Sequence, residues 1–373
     1  MARESFPGRM VAETLVAGAP DAASLRRARA ASFRRTGYAV AGIALFVFAL
    51  ETIKGGASGV VPLLDGLSVH GPANAIGFGW LMAYGALSGS PVAAVGVSLL
   101  SGGVLDRTEA FAVIGGSRLG ASFIVLAVGY VLYLSRRRNA DGLYIGVVAL
   151  LTTFTTQGPA VALGLTSLHL GWLDGVSFNT PARLADGIGA VVDPPVDAMD
   201  AVLPAGLLFL AGIGVLLGSF WLFDRALPQL QGEAEGMTRI LHALSRRPLM
   251  FLLGAGITAI TMSVSISLTV LVPLSMKGYV RRDSIIPYVM GANITTFIDT
   301  LVASVLLGGD MAFTVVLTQV ASIAAVSAVL LTLFYRPYST AILASARWVT
   351  ARPRHFATFL VAIVGLPLVL LLV

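Results

Sequence analysis

The sequence predicts an all-α polytopic membrane protein of two inverted-topology repeats, each with a re-entrant helical hairpin. Hydrophobic residues make up 56% of the 373 positions and charged residues only 12%, too few charges for the surface of a soluble chain of this length. Several apolar runs reach the roughly 20 residues a helix needs to cross a bilayer, and the regular alternation of a transmembrane barrel is absent over most of the chain. A stretch also recurs without gaps at a constant offset of 175 residues: Ser88-Gly-Ser90 as Ser263-Val-Ser265, Gly103 as Gly278, and Gly116-Ser-Arg-Leu as Gly291-Ala-Asn-Ile.

Residues 1–35 form a cytoplasmic N-terminal segment carrying Arg26, Arg27, Arg29, Arg34 and Arg35. Its first 24 residues are expected to be disordered or to lie on the membrane surface. No cleavable signal is evident, so the apolar stretch 38–53 reads as an uncleaved first span. The apolar segment 74–104 is interrupted at Ser88-Gly-Ser-Pro91, and neither half is long enough to cross alone. A full span, 110–134, then runs into Arg136-Arg-Arg138, which belongs in the cytoplasm. With both flanks so placed, segment 74–104 must enter and leave from outside.

Span 143–165 goes out and closes a first transmembrane repeat of residues 36–165. An external acidic loop, 166–200, carries Asp174, Asp186, Asp193, Asp197 and Asp200 against Arg183. The second repeat, 201–335, opens with span 201–223, which returns to Arg225, Arg239, Arg246 and Arg247. A second interrupted segment, 249–276, ends at Lys277, Arg281 and Arg282, so it enters and leaves from inside. Spans 284–308 and 312–334 follow, and residues 336–373 supply a cytoplasmic link with Arg336, Arg347, Arg352 and Arg354 before a last span, 356–373. This scheme puts every basic cluster on one side and the two hairpins on opposite faces. A plain bundle of nine spans would strand one basic cluster outside.

Composition narrows the function. The net charge of +6 comes from arginines between apolar segments, which orient the chain in a bilayer and do not indicate nucleic acid. The chain has no cysteine, which excludes disulfides and thiolate chemistry. Its histidines are scattered, and no nucleophile elbow, Walker loop or zinc motif occurs, so no enzyme and no cofactor are expected. Two lysines among 25 basic residues suggest a GC-rich bacterial genome, and hence a bacterial cytoplasmic membrane.

Candidate binding residues cluster at the repeated motifs. Ser263, Ser265, Ser267 and Thr269 alternate with apolar residues; period two is wrong for one helix face and suits an extended or unwound stretch. Hydroxyls with freed carbonyls are hard oxygen ligands for sodium or hydrogen-bond partners for an oxyanion. Ser263, Ser265 and Thr296 are the residues assigned to such a sodium ion. Ser88, Gly89 and Ser90 form the matching break in the other half. Asn293, Thr295 and Thr296 add donors and acceptors near the start of a span, where free N–H groups favour an anion. Arg118 and Asp299 are the deepest ionisable residues; Arg118 is placed to bind an anion or to pair with Asp299, which is alternatively a cation ligand. Gln157 and Gln319 also lie within spans, although the 175-residue offset fails between them.

These motifs resemble the sodium–phosphate cotransporter family, whose two inverted repeats each carry a Gln-Ser-Ser-Ser hairpin and a Gly-Ala-Asn-Ile-Gly-Thr-Thr helix start. The stretch 258–274 and Gly291-Ala-Asn-Ile-Thr-Thr296 are similar to the second pair; Leu87-Ser-Gly-Ser90 and Gly116-Ser-Arg-Leu-Gly-Ala-Ser122 are similar to the first. The family's hairpin glutamines are Leu87 and Met262 here, its middle serines are Gly89 and Val264, and Arg118 stands where the first asparagine would be. The resemblance implies alternating-access transport of a small anion, phosphate first, with sodium. The altered motifs leave room for another anion or another coupling ion in the same fold. A membrane enzyme on lipid phosphates would need Glu, His and Arg gathered near a hairpin, which the chain lacks.

Overall fold

The computed structural model describes residues 22–135, 141–176, 178, 181–226, 246–264, 267, 268, 271, 275, 282–307 and 309–373. All regular structure among them is helical. Helix α1 (Ala22–Gly55) is followed by short turns, α2 (Pro72–Ala86) and α3 (Ser90–Ser101). Then come α4 (Arg107–Ala121), α5 (Phe123–Ser135), α6 (Asp141–Leu170), α7 (Ala182–Asp200) and α8 (Ala205–Ala226). The second half holds α9 (Arg247–Thr261), α10 (Ile285–Thr295), α11 (Ile298–Leu306), α12 (Asp310–Thr332), α13 (Tyr335–Ala351) and α14 (Pro353–Leu372).

Seven helical segments are long and apolar enough to cross a membrane: Ala30–Gly55, Arg107–Tyr130, Gly142–Leu170, Ala205–Ala226, Arg282–Leu306, Asp310–Thr332 and Pro353–Leu372. They fall where the seven spans were expected. The chain is therefore a multi-pass α-helical membrane protein.

Two helix pairs share one register. Helices α2 and α9 start and end 175 positions apart, and each stops at a left-handed residue, Leu87 (φ 50) and Met262 (φ 47). A left-handed non-glycine residue costs about 1–2 kcal/mol, so both breaks are held by their surroundings. Helix α2 packs on α4, and α9 on α10, through glycines at equivalent sites. A Cβ on Gly79 or Gly254 would fall 2.3 or 2.1 Å from the carbonyl oxygen of Val113 or Tyr288. A Cβ on Gly116 or Gly291 would meet Ile76 O at 2.2 Å or Phe251 O at 2.1 Å. Only glycine lets helix backbones approach this closely. At the next turn the pairs diverge: Gly120 faces the Trp80 carbonyl, whereas Thr295 donates its hydroxyl to Ala255 O at 2.9 Å.

The interior divides into two apolar clusters. One gathers Leu50, Val97, Val113, Val161, Phe297 and Val315 from α1, α3, α4, α6, α12 and the turn before α11. The other gathers Val125, Val148, Met250, Leu268, Met290 and Ala346. The charged residues that close the first span, Glu51 and Lys54, bond to each other at 3.2 Å.

The structure adds local detail in three stretches. The stretch expected as an external acidic loop contains a helix, α7, whose Val192 and Val196 pack on Val47 of α1 although Pro194 and Pro195 lie inside it. The link after residue 335 is also a helix, α13, with Tyr335, Ile342, Ala346 and Val349 buried. And the hydroxyl ladder is not extended where it is described: Val264, Ser267 and Leu268 are helical, and Ser267 N–H donates to Ser263 O at 3.1 Å. The left-handed Met262 ends α9, and the chain re-enters a helix at once.

Helix α4 begins with a capping box in which Asp106 accepts from the N–H groups of Thr108 and Glu109, at 2.7 and 2.8 Å, and Glu109 accepts from Asp106 N–H at 3.0 Å. Burial pushes the Asp106 carboxyl up, but the Glu109 N–H, the Thr108 hydroxyl and N–H, and Arg107 together bring it below its ordinary value. This stabilisation is complete above the ordinary carboxylate value and is lost as pH falls through the lower folded value. Asp106→Ala is expected to cost about 1 kcal/mol, read as a lower thermal midpoint in detergent.

Candidate functional site

Four of the expected residues meet in the interior, two from each half of the chain. Ser90 is the first residue of α3, immediately after the break, and its hydroxyl points to the helix α4 presents at Arg118. Arg118 Nη1 donates to Thr296 Oγ1 at 2.5 Å, and Nη2 lies 3.5 Å from Ser90 Oγ. The guanidinium also stands 4.8 Å from the centre of the Phe297 ring, a cation–π contact. Asp299, in the first turn of α11, accepts from Thr300 N–H at 2.6 Å and from its hydroxyl at 2.9 Å through Oδ1. Arg118 is 5% exposed and Asp299 6%. They lie close enough to attract each other, yet no direct ion pair joins them among the described residues.

Each keeps an unused polar atom. Arg118 Nε and Asp299 Oδ2 are buried without a hydrogen-bond partner. A buried polar atom left unpaired costs about 1–3 kcal/mol, so such atoms in a helical bundle mark places for water or a ligand. One turn earlier on α4, Gly115 faces two more: a Cβ there would lie 3.4 Å from Gln319 Oε1 and 3.6 Å from Gln157 Nε2. Gln157 Nε2 and both amide atoms of Gln319 are likewise unpartnered. The two glutamines thus converge on α4 from α6 and α12, despite their irregular spacing in the sequence.

The breaks themselves share a cavity of about 260 Å³. Ser88 and Ser90 line it from one side, Thr261, Met262 and Ser263 from the other, and Phe220, Trp221 and Asp224 close it from the last turns of α8. Asp224 was not singled out by the sequence, because a carboxylate beside Arg225 at the end of a span reads as interfacial. Gly89 lets the first break lie on α4, since a Cβ there would fall 2.8 Å from Ser117 O. A second, smaller cavity of about 140 Å³ lies at the other end of the bundle, lined by Arg107, Asp174 and Asp310. There Arg107 pairs with Asp174 at 3.4 Å and also donates to Leu168 O.

Three of the remaining expected residues have structural partners. Asn293 donates to Thr153 Oγ1 at 3.1 Å, joining α10 to α6. Ser267 Oγ and Tyr288 Oη share a hydrogen bond of 2.8 Å, and Thr295 is held by Ala255 O. Ser265 and Thr269 lie outside the described residues. Thr296 Oγ1, assigned with Ser263 and Ser265 to a sodium ion, accepts from the Arg118 guanidinium, which would repel a cation at that oxygen.

A helical membrane protein with a charged pair enclosed at the meeting of its two halves is the class that fold and site define. No family model matches the chain, and neither a curated protein nor a solved structure matches it.

Proposed function

We propose that this protein is a secondary active transporter that moves a small anion, inorganic phosphate first, with sodium across a bacterial cytoplasmic membrane. The observation that carries the reading is Arg118, a buried cation held between Ser90 of the first half and Thr296 of the second, with one nitrogen free. A buried guanidinium ringed by hydroxyls binds an oxyanion. Sites at the junction of two repeats are typical of alternating-access carriers.

The shared register of α2 and α9, their left-handed ends and their matched glycine contacts support two repeats, each with a helix–break–helix segment. The arginine distribution gives those repeats inverted topology and makes the interrupted segments re-entrant hairpins. On the same scheme the 260 Å³ cavity lies toward the cytoplasm and the Arg107–Asp174 pair toward the outside.

Uptake of labelled phosphate into proteoliposomes tests the reading. Accumulation driven by an inward sodium gradient is expected. Uptake that ignores the gradient removes sodium, and no uptake under any gradient removes phosphate.

A further inference from the structure

The interior site is charge-balanced: one guanidinium, one carboxylate and neutral partners. If an anion takes Arg118, Asp299 loses the positive charge that compensates it. An uncompensated carboxylate inside a membrane bundle is strongly disfavoured. The elements packed on α11 offer no substitute. Helix α3 presents Ser90, α12 has no ionisable residue between Met311 and Thr332, and Glu51 and Lys54 of α1 neutralise each other. Asp299 Oδ2 is buried without a hydrogen-bond partner, and among the described residues it is the unpartnered oxygen that belongs to a carboxylate, so it can accept a replacement charge.

We propose that Asp299 is the coupling residue: an anion displaces it from the field of Arg118, and a monovalent cation then binds at its carboxylate, one cation for one negative charge. This rests on the transport reading above and adds the link between its two ions. The chemistry suits a sodium ion or a proton alike, so the test separates them. Gln157 and Gln319, beside Gly115 one turn earlier on α4, hold unused amide donors and an unused acceptor.

The experiment is equilibrium binding of sulfate and of inorganic phosphate to the purified full-length protein in detergent, by titration calorimetry. One series varies sodium at fixed pH; the other varies pH without sodium. Sulfate keeps its charge across the neutral range, so any pH effect on its binding reports a proton taken by the protein. Wild type is expected to bind sulfate or phosphate at least tenfold more tightly when one of the two cations is raised, within the roughly 5- to 150-fold range usual for coupled sites. Asp299→Asn, close to isosteric, is expected to bind the anion with that dependence gone. Asp299→Glu, which restores the carboxylate, should regain it. Wild-type affinity indifferent to both cations, or Asp299→Asn as responsive as wild type, overturns the proposal while leaving anion transport standing. Failure of both anions to bind overturns the transport reading, and the proposal with it.

Discussion

Replacing Arg118 with methionine is expected to abolish anion binding and uptake and to destabilise the protein by as much as about 3–5 kcal/mol, the usual cost of stripping one partner from a buried charge pair. Two losses combine. The anion loses its buried cationic partner at this site, and Asp299 is left with Ser90 and Thr300 and no positive charge. The double variant Arg118→Met with Asp299→Asn separates them. It is expected to recover most of the thermal midpoint, because no buried charge remains, and to recover no anion binding. Thermal unfolding in detergent and sulfate titration on the same preparations read both effects. Full binding by Arg118→Met would move the anion site elsewhere.

The second large effect is expected at the glycine contacts. In Gly116→Ala and Gly291→Ala the added methyl group would sit 2.2 and 2.1 Å from a backbone carbonyl oxygen. No side-chain rotation relieves that overlap, so α2 must move off α4, or α9 off α10. The cost is expected at about 1–3 kcal/mol or more for each, against a gain of about 0.5–1 kcal/mol from replacing glycine in a helix. Gly158→Ala is the control, because nothing lies within 4 Å of its Cβ position; it should match or exceed wild type. Equal loss at Gly116 and Gly291 in melting experiments supports one shared architecture for the two helix pairs. A neutral Gly291→Ala would contradict the packing described for α9 and α10.

The spans were legible because hydropathy over some 20 residues reports the bilayer directly. The breaks were legible too, since Leu87–Gly89 and Met262–Ser263 coincide with the interruption of each apolar segment. What the sequence hid was local chemistry within the second break. Alternating hydroxyls from Ser263 onward suggested an extended or unwound stretch, but period two in side-chain polarity does not fix the backbone when a helical turn can satisfy its own amides, as Ser267 does. Helices α7 and α13 were missed for the opposite reason. Their polar residues and the prolines 194 and 195 read as loop, and only packing on α1 and α6 gives each a buried stripe.

The functional residues divide in the same way. Arg118, Asp299, Ser90 and Thr296 were each singled out as charges or hydroxyls in apolar surroundings, and the fold brings them together. Gln157 and Gln319 lay out of register by sequence, yet both reach Gly115, because helices converge in space irrespective of spacing along the chain. Ser267, Thr295 and Asn293 looked equally promising and have protein partners. Polarity in a span marks a satisfied packing contact as readily as a ligand, and only the pairing of each atom tells them apart.

Occupation of the Arg118 site by an anion, at the junction of the two halves, can be seen in an experimental structure of the protein with phosphate. Density is expected against the Arg118 guanidinium, between Ser90 and Thr296, with Asp299 turned from it. An anion held only beside Arg107 at the other end of the bundle, with the interior unchanged, would contradict it.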